Sequence, residues 1–238
     1  MTLSTQRLDH FLAKYCQVSK GDVRLLLAQK RVYVDGKTAQ GIDQRVNKFT
    51  QISLDNRVIQ NNPAYYVMLH KPVGVVCATK DNIHPTVIDI LPFEFKHELH
   101  IVGRLDLNTS GLVLLTNDSR WSEAIIQPKQ KIEKTYQVTL QNPVDDSYVC
   151  GFKQGMYFKF ENITTLPANL TVTGQYSAEV KLVEGKYHQI KRMFGRYRNP
   201  VIKLHRSQIG EIKLDEQLAS GQSRHLTKLE IDAFKNSL

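Results

Sequence analysis

The order of apolar and polar side chains predicts two helices, then a long series of strands with a few short helices among them. Residues 7–15 (RLDHFLAKY) place Leu8, Phe11, Leu12 and Tyr15 at helical spacing. Ser19 suits an N-cap, with Asp22 in the first turn where the helix dipole favours a carboxylate. The helix that follows turns Val23, Leu26 and Leu27 inward and leaves Lys20, Arg24 and Lys30 polar. Residues 31–34 (RVYV) alternate like a strand and turn at Asp35-Gly36, a strong hairpin signal. Residues 55–64 (DNRVIQNNPA) are polar and end in Asn-Asn-Pro, which predicts a linker between a domain at 1–60 and a larger one at 61–238.

Beyond the linker a strand begins at residues 65–69, and Lys71-Pro72-Val73-Gly74 forms a rigid turn able to bring the Lys71 amine to a phosphate. Residues 100–118 (HIVGRLDLNTSGLVLLTND) are two apolar runs broken by Gly, Asn and Ser, hence strand, loop, strand. Ser119 is placed to cap a short helix holding Trp121, Ala124 and Ile125, with Trp121 in the core. Residues 134–140 (KTYQVTL) alternate, with Tyr136, Val138 and Leu140 on one face. A helix is expected at 145–153, a loop-rich segment at 161–175 and a strand at 176–183. Residues 186–194 read as a helix with Ile190 and Phe194 on the same side, and Gln189, Lys191 and Arg192 crowd around Ile190 as they would around a site. The last strands fall within 201–214, and 227–236 closes the chain as a helix. Many strands and few helices give an α+β class with a mainly antiparallel sheet.

Charge changes this picture. The net charge is +9, and residues 1–60 carry ten Lys/Arg against five Asp/Glu. A second block, 181–206, has eight basic residues and the single acid Glu184. Two separate basic clusters suit a polyanion such as nucleic acid. The hydrophobic content of 41% supports a folded core. No run approaches the roughly 18 apolar residues of a membrane span, so no membrane partner is expected. The N-terminal residues lack the basic-then-apolar layout of a signal peptide. Cys16, Cys77 and Cys150 are far apart and odd in number, so reduced thiols and a cytoplasmic location are expected.

The loop at 103–109 holds a guanidinium and a carboxylate two residues apart, Arg104 and Asp106. A loop aspartate commonly caps its own backbone. A calcium loop fails because the twelfth position is Asn117 where a bidentate Glu is needed. An aspartyl-phosphate hydrolase needs magnesium and an uninterrupted strand before the aspartate, and Gly103-Arg104 breaks that strand.

Gly103-Arg104-Leu105-Asp106 with Thr109-Ser110-Gly111-Leu112 resembles the first motif of pseudouridine synthases. Lys71-Pro72-Val73-Gly74, Lys134-Thr135-Tyr136 and residues 184–193 (EGKYHQIKRM) are similar to the family's other landmarks, in the same order. The closest likeness is to the RsuA branch, which isomerises a uridine of 16S ribosomal RNA and carries an N-terminal S4 domain. The large-subunit (23S) branch shares these motifs and stays open as an alternative, as does a non-catalytic S4-type RNA-binding protein.

The resemblance implies a small S4 RNA-binding domain followed by a mixed-sheet catalytic domain, working as a monomer on ribosomal RNA within a partly assembled small subunit. It implies no metal and no cofactor. Asp106 would be the catalytic carboxylate, Tyr136 would lie on the uracil, Ile190 would floor the pocket, and Lys191 would lie against Asp106. RNA contacts would come from Arg104, Lys71, Lys134, His188, Gln189, Arg192 and Arg206 in the larger domain. The smaller would add Arg7, Lys20, Arg24, Lys30 and Arg31. Whether the carboxylate attacks C1′ or works through the neighbouring ribose carbon stays open.

Overall fold

In the computed structural model, which describes residues 5–234, the first helices span Leu8–Cys16 and Lys20–Ala28. Ser19 starts the second with a reciprocal cap. Its hydroxyl accepts from the Asp22 N–H at 3.2 Å, and the Asp22 carboxylate accepts from the Ser19 N–H at 3.0 Å. The four-stranded sheet beside them runs Lys37–Thr38, Val32–Val34, Ile52–Leu54, Arg57–Gln60. Asp35 and Gly36 both take positive φ (49° and 75°), as a tight hairpin with the right twist requires. Leu8, Leu12, Val23, Val32 and Ile52 are wholly buried between helices and sheet.

The expected linker at 55–64 starts too early. Asp55 and Asn56, at φ 49° and 63°, make a second two-residue turn, and Arg57–Gln60 pairs with Ile52–Leu54. The chain divides into two compact units, one up to Ala64 together with Asp118–Arg120, the other Tyr65–Asn117 and the chain from Trp121 onward.

The second unit is built on a nine-stranded sheet. Its main order is Asn169–Gly174, Ser177–Leu182, Lys134–Leu140, Val201–Ile209, Ser110–Thr116, Tyr66–Lys71, Ser223–His225, with His100–Val102 and Ile212–Lys213 attached to it. All pairings are antiparallel except one, the parallel contact of Ser110–Thr116 with Val201–Ile209. The continuous apolar run of Ser110–Thr116 follows from its position: a strand covered on both faces has no polar side. Alternate residues serve opposite cores. Leu112 and Leu114 pack with Met68 and Trp121, while Val113 and Leu115 pack with Val67, Leu69 and Val138.

Three expectations shift. Asp118, rather than Ser119, accepts the backbone N–H of Arg120 and starts the Ser119–Ile126 helix. The segment expected as loop at 161–175 holds the edge strand Asn169–Gly174 and the short strand Ile163–Thr164. The closing helix spans Lys228–Asp232, and residues 235 and 236 of the expected one lie outside the described residues. The strand Ser223–His225 had no recognisable apolar pattern. Trp121 is core as expected, 1% exposed, its indole N–H donating to the Ile231 carbonyl at 3.0 Å. Among the described residues no helix is long and apolar enough to cross a membrane.

Candidate active site

The loop carrying Asp106 is fixed from beneath by backbone geometry. Gly111 stands opposite Lys71 on one neighbouring strand and Arg206 on the other. Its φ is 114°, and a Cβ there would lie 2.3 Å from the Arg206 carbonyl oxygen. Only glycine lets the strands approach so closely. Arg206 is 3% exposed and Lys71 fully buried. The Arg206 guanidinium donates to the carbonyls of Leu112 (2.8 Å), Gly103 (3.1 Å) and Arg104 (3.5 Å). The Lys71 ammonium donates to those of Thr109 (2.7 Å), Pro72 (2.9 Å) and Leu107 (3.4 Å). Two buried cations thus hold both ends of the loop from 103 to 109.

This corrects the expectation that Lys71 and Arg206 contact RNA. A buried charge needs hydrogen-bond partners inside the protein, and carbonyls of the Asp106 loop supply them. Burial pushes the Lys71 ammonium below the usual lysine range, with the Asp106 carboxylate acting the other way. Cys77, beneath the same loop, accepts the Leu105 N–H at 3.2 Å, and burial pushes its thiol up.

Asp106 lies at a cavity of about 430 Å³ whose apolar walls are Tyr136, Leu182, Ile190 and Leu204. Tyr136 comes from a central strand, between Val180 and Arg206 of its two neighbours. Ile190 comes from the first turn of the Gln189–Gly195 helix. Their alternation and helical phase explain why both are buried, at 8% and 4% exposure. Arg104 is exposed at the same cavity. The carboxylate itself is about a third exposed, its side chain at 35%.

The expected pairing of Lys191 with Asp106 is absent. The side chain facing Asp106 is His188, whose Nε2 lies 3.5 Å from the carboxylate. His188 takes a left-handed backbone (φ 48°) just before the helix, and Tyr187 stacks on its ring at 3.9 Å. Lys191, one helical turn on, borders two neighbouring cavities instead. A histidine was visible in the sequence motif, but its approach to Asp106 depends on that left-handed turn, which no residue pattern announces.

Other expected RNA contacts divide by burial. Lys134 is half-buried and donates to the Val183 carbonyl at 3.3 Å, with burial lowering its pKa. Gln189 is buried, receiving the Lys186 N–H and donating to Glu184 at 2.6 Å. Gln189 lines the Asp106 cavity from inside. Arg192 pairs with Glu161 at 2.6 Å. In the N-terminal unit Arg7 pairs with Asp9 at 3.0 Å, and Arg31 chelates Asp55 through Nε at 2.6 Å. Lys20, Arg24 and Lys30 are exposed.

A carboxylate at the edge of an apolar slot, with an aromatic wall, can hold a flat ring by contact and act on the carbon attached to it. Comparison with known proteins identifies the setting. Residues 65–195 match the family described as RNA pseudouridylate synthase. The chain is 46% identical over 226 residues to the ribosomal small subunit pseudouridine synthase A of Pseudomonas aeruginosa, covering 94% of this chain and 98% of that one. It is 41% identical over 227 residues to the protein of the same name from Yersinia pestis, covering 94% and 96%. A crystal structure of a pseudouridylate synthase superposes with a TM-score of 0.70 at 36% identity, over 96% of this chain and 99% of that one. The matched span contains Asp106, Tyr136 and Ile190, and the chain belongs to the RNA pseudouridylate synthase family.

Proposed function

We propose that this protein is a ribosomal small-subunit pseudouridine synthase, isomerising a uridine of 16S ribosomal RNA. The observation that carries the reading is one cavity that joins a partly exposed carboxylate, Asp106, to the apolar walls Tyr136 and Ile190. Similarity to small-subunit synthases over nearly the whole chain supports the choice of RNA. The enzyme acts in the cytoplasm, as a monomer, on RNA of a partly assembled subunit.

The reaction breaks the C1′–N1 bond, turns the uracil over and forms C1′–C5. The proton at C5 leaves and N1 gains one, so atoms balance without an oxidant. Asp106 acts at the ribose, either on C1′ or through the adjacent carbon. Tyr136 lies along the uracil, keeps the detached ring in the slot and helps remove the C5 proton. Ile190 closes the floor. The uridine must leave its helix to enter, at a cost of roughly a few kcal/mol. Arg104, exposed at the cavity, fills the vacated space or holds a phosphate. The first 64 residues act as an S4-type module, with Lys20, Arg24 and Lys30 against the RNA backbone. Such contacts position the RNA and do not choose the uridine.

Asp106→Asn tests the assignment. Pseudouridine formation, followed as tritium released from C5-labelled RNA, should vanish while RNA binding stays within a few fold. Substantial turnover by that variant removes Asp106 from the mechanism.

A further inference from the structure

Beyond His188 lies a second groove, of about 470 Å³, under a hairpin that the reaction leaves unused. Strands Tyr157–Phe158 and Ile163–Thr164 pair antiparallel. The turn between them is pinned by the Tyr157 hydroxyl, which donates to Asn162 at 2.9 Å. At its tip Phe160 is completely exposed (101%), and Tyr157 is 49% exposed. A hairpin this short gains nothing in folding from an aromatic ring held in water.

The groove is bordered by Tyr157, Lys159, Phe160, Lys191, Arg192 and Arg196, and by no carboxylate. Glu161 neutralises Arg192, whose guanidinium lies 3.9 Å from the centre of the Phe158 ring. The side-chain cations of Lys159, Lys191 and Arg196 have no hydrogen-bond or ion-pair partner among the described residues. His188 borders this groove and the Asp106 cavity alike, so the two adjoin at its side chain.

Exposed rings interleaved with free cations are the pattern that binds single-stranded nucleic acid: bases stack on the rings and phosphates meet the cations. The volume suits a group of nucleotide size. We propose that the unpaired RNA strand flanking the target uridine crosses this groove, with a base stacked on Phe160 and its phosphates held by Lys159, Lys191 and Arg196. When the uridine enters the catalytic cavity its neighbour loses a stacking partner, and Phe160 replaces it. The inference rests on the synthase reading above and adds to it the path of the RNA. It also gives Lys191 a phosphate to hold in place of Asp106.

Phe160→Ala, Phe160→Trp and a Lys159→Ala/Arg196→Ala double variant test it on partly assembled small-subunit particles. Loss of one stacked base should raise KM about tenfold in Phe160→Ala, with the saturated single-turnover rate within about twofold. Phe160→Trp should restore KM. Its added fluorescence should be quenched by a short single-stranded oligouridylate and not by duplex RNA. The double variant should flatten the salt dependence of binding by about 1.4 in log–log slope, near 0.7 for each phosphate released from its counterion. Wild-type KM and slope in these variants, with the wild type active, overturn the proposal. So does a raised KM in Phe160→Ala with no quenching of Phe160→Trp by the oligouridylate, which marks a protein-docking surface instead. A wild-type enzyme that forms no pseudouridine in these particles refutes the underlying reading separately. In that case the oligouridylate titration still decides the groove, in favour if the tryptophan is quenched and against if it is not.

Discussion

Lys20 and Arg24 stand exposed on a short helix of the N-terminal unit, whereas Lys71 and Arg206 lie buried in the synthase unit and give their hydrogen bonds to the loop around Asp106. In sequence nothing separates the work of the four. Their work differs because burial reverses the physics of a cation. In water it attracts phosphate over a distance and contributes little to folding. Out of water it is costly unless every donor finds an acceptor, and then it pins those acceptors in place. On the proposed function the same net charge therefore divides into an RNA-facing part and an architectural part, and only the first should respond to salt.

The largest break in that comparison comes from Arg206→Met. The substitution keeps an unbranched side chain but strips a donor from the carbonyls of Gly103, Arg104 and Leu112. A buried acceptor left unpaired costs about 1–3 kcal/mol, and the Leu112 carbonyl is one, so unfolding free energy should fall by about 1–3 kcal/mol. With the loop released, displacement of Asp106 on the order of 1 Å is enough for a hundredfold loss of turnover. Urea unfolding and tritium release measure the two effects. Arg206→Lys should recover little, because one ammonium cannot span carbonyls held by three guanidinium nitrogens. A variant that is stable and active but binds RNA weakly would return Arg206 to the RNA face.

How much of this was legible follows the same line. The helices at Leu8–Cys16 and Lys20–Ala28, the Asp35-Gly36 turn and the strand carrying Tyr136 rest on spacing within a few residues, and each was readable. The Asp55-Asn56 turn carried a similar signal, which the polar residues after it disguised as linker. The motif around Asp106 placed the carboxylate in a loop between strands, where the structure has it. What could not be read is register. Residues 71, 111 and 206 meet only through the pairing of three strands far apart in sequence. Without that pairing nothing distinguishes a clamp from a phosphate ligand. The partnership of His188 with Asp106 escaped for a related reason, since it turns on one left-handed residue.

A smaller effect sharpens the other side. Lys20→Ala with Arg24→Ala removes two exposed cations, and stability should change by no more than about 0.5 kcal/mol. Binding to ribosomal RNA should weaken and its salt dependence flatten by about 1.4 to 1.8 in log–log slope, at 0.7 to 0.9 for each phosphate contact. Catalysis at saturating RNA should be nearly untouched. An unchanged slope would show that this helix does not meet RNA, leaving the comparison with only its buried half.

The smallest expected effect separates the two units by pH. In the synthase unit His205 hydrogen-bonds Ser110 at 3.0 Å and meets His70 edge-on at 5.4 Å. Burial, then the neighbouring His70, lowers its affinity for a proton. An unfolded histidine takes up its proton near pH 6.5, so below that value the unfolded chain binds more protons than the folded one. Stability from this residue is complete above about pH 6.5 and is lost as pH falls toward the lowered folded value. In the N-terminal unit Asp9 is held below the usual carboxylate range, chiefly by hydrogen bonds from Arg7. Its contribution is present above the unfolded value of about 4 and is lost as pH falls through the folded one. Acidification should therefore loosen the strands around His205 before it touches the Arg7–Asp9 pair. Hydrogen exchange followed from neutral to acid pH should show amides of the Ser110–Thr116 and Val201–Ile209 strands losing protection first. His205→Gln should flatten that earlier phase alone, and Asp9→Asn the later one alone. Simultaneous loss in both units would mean that His205 is not the group being protonated.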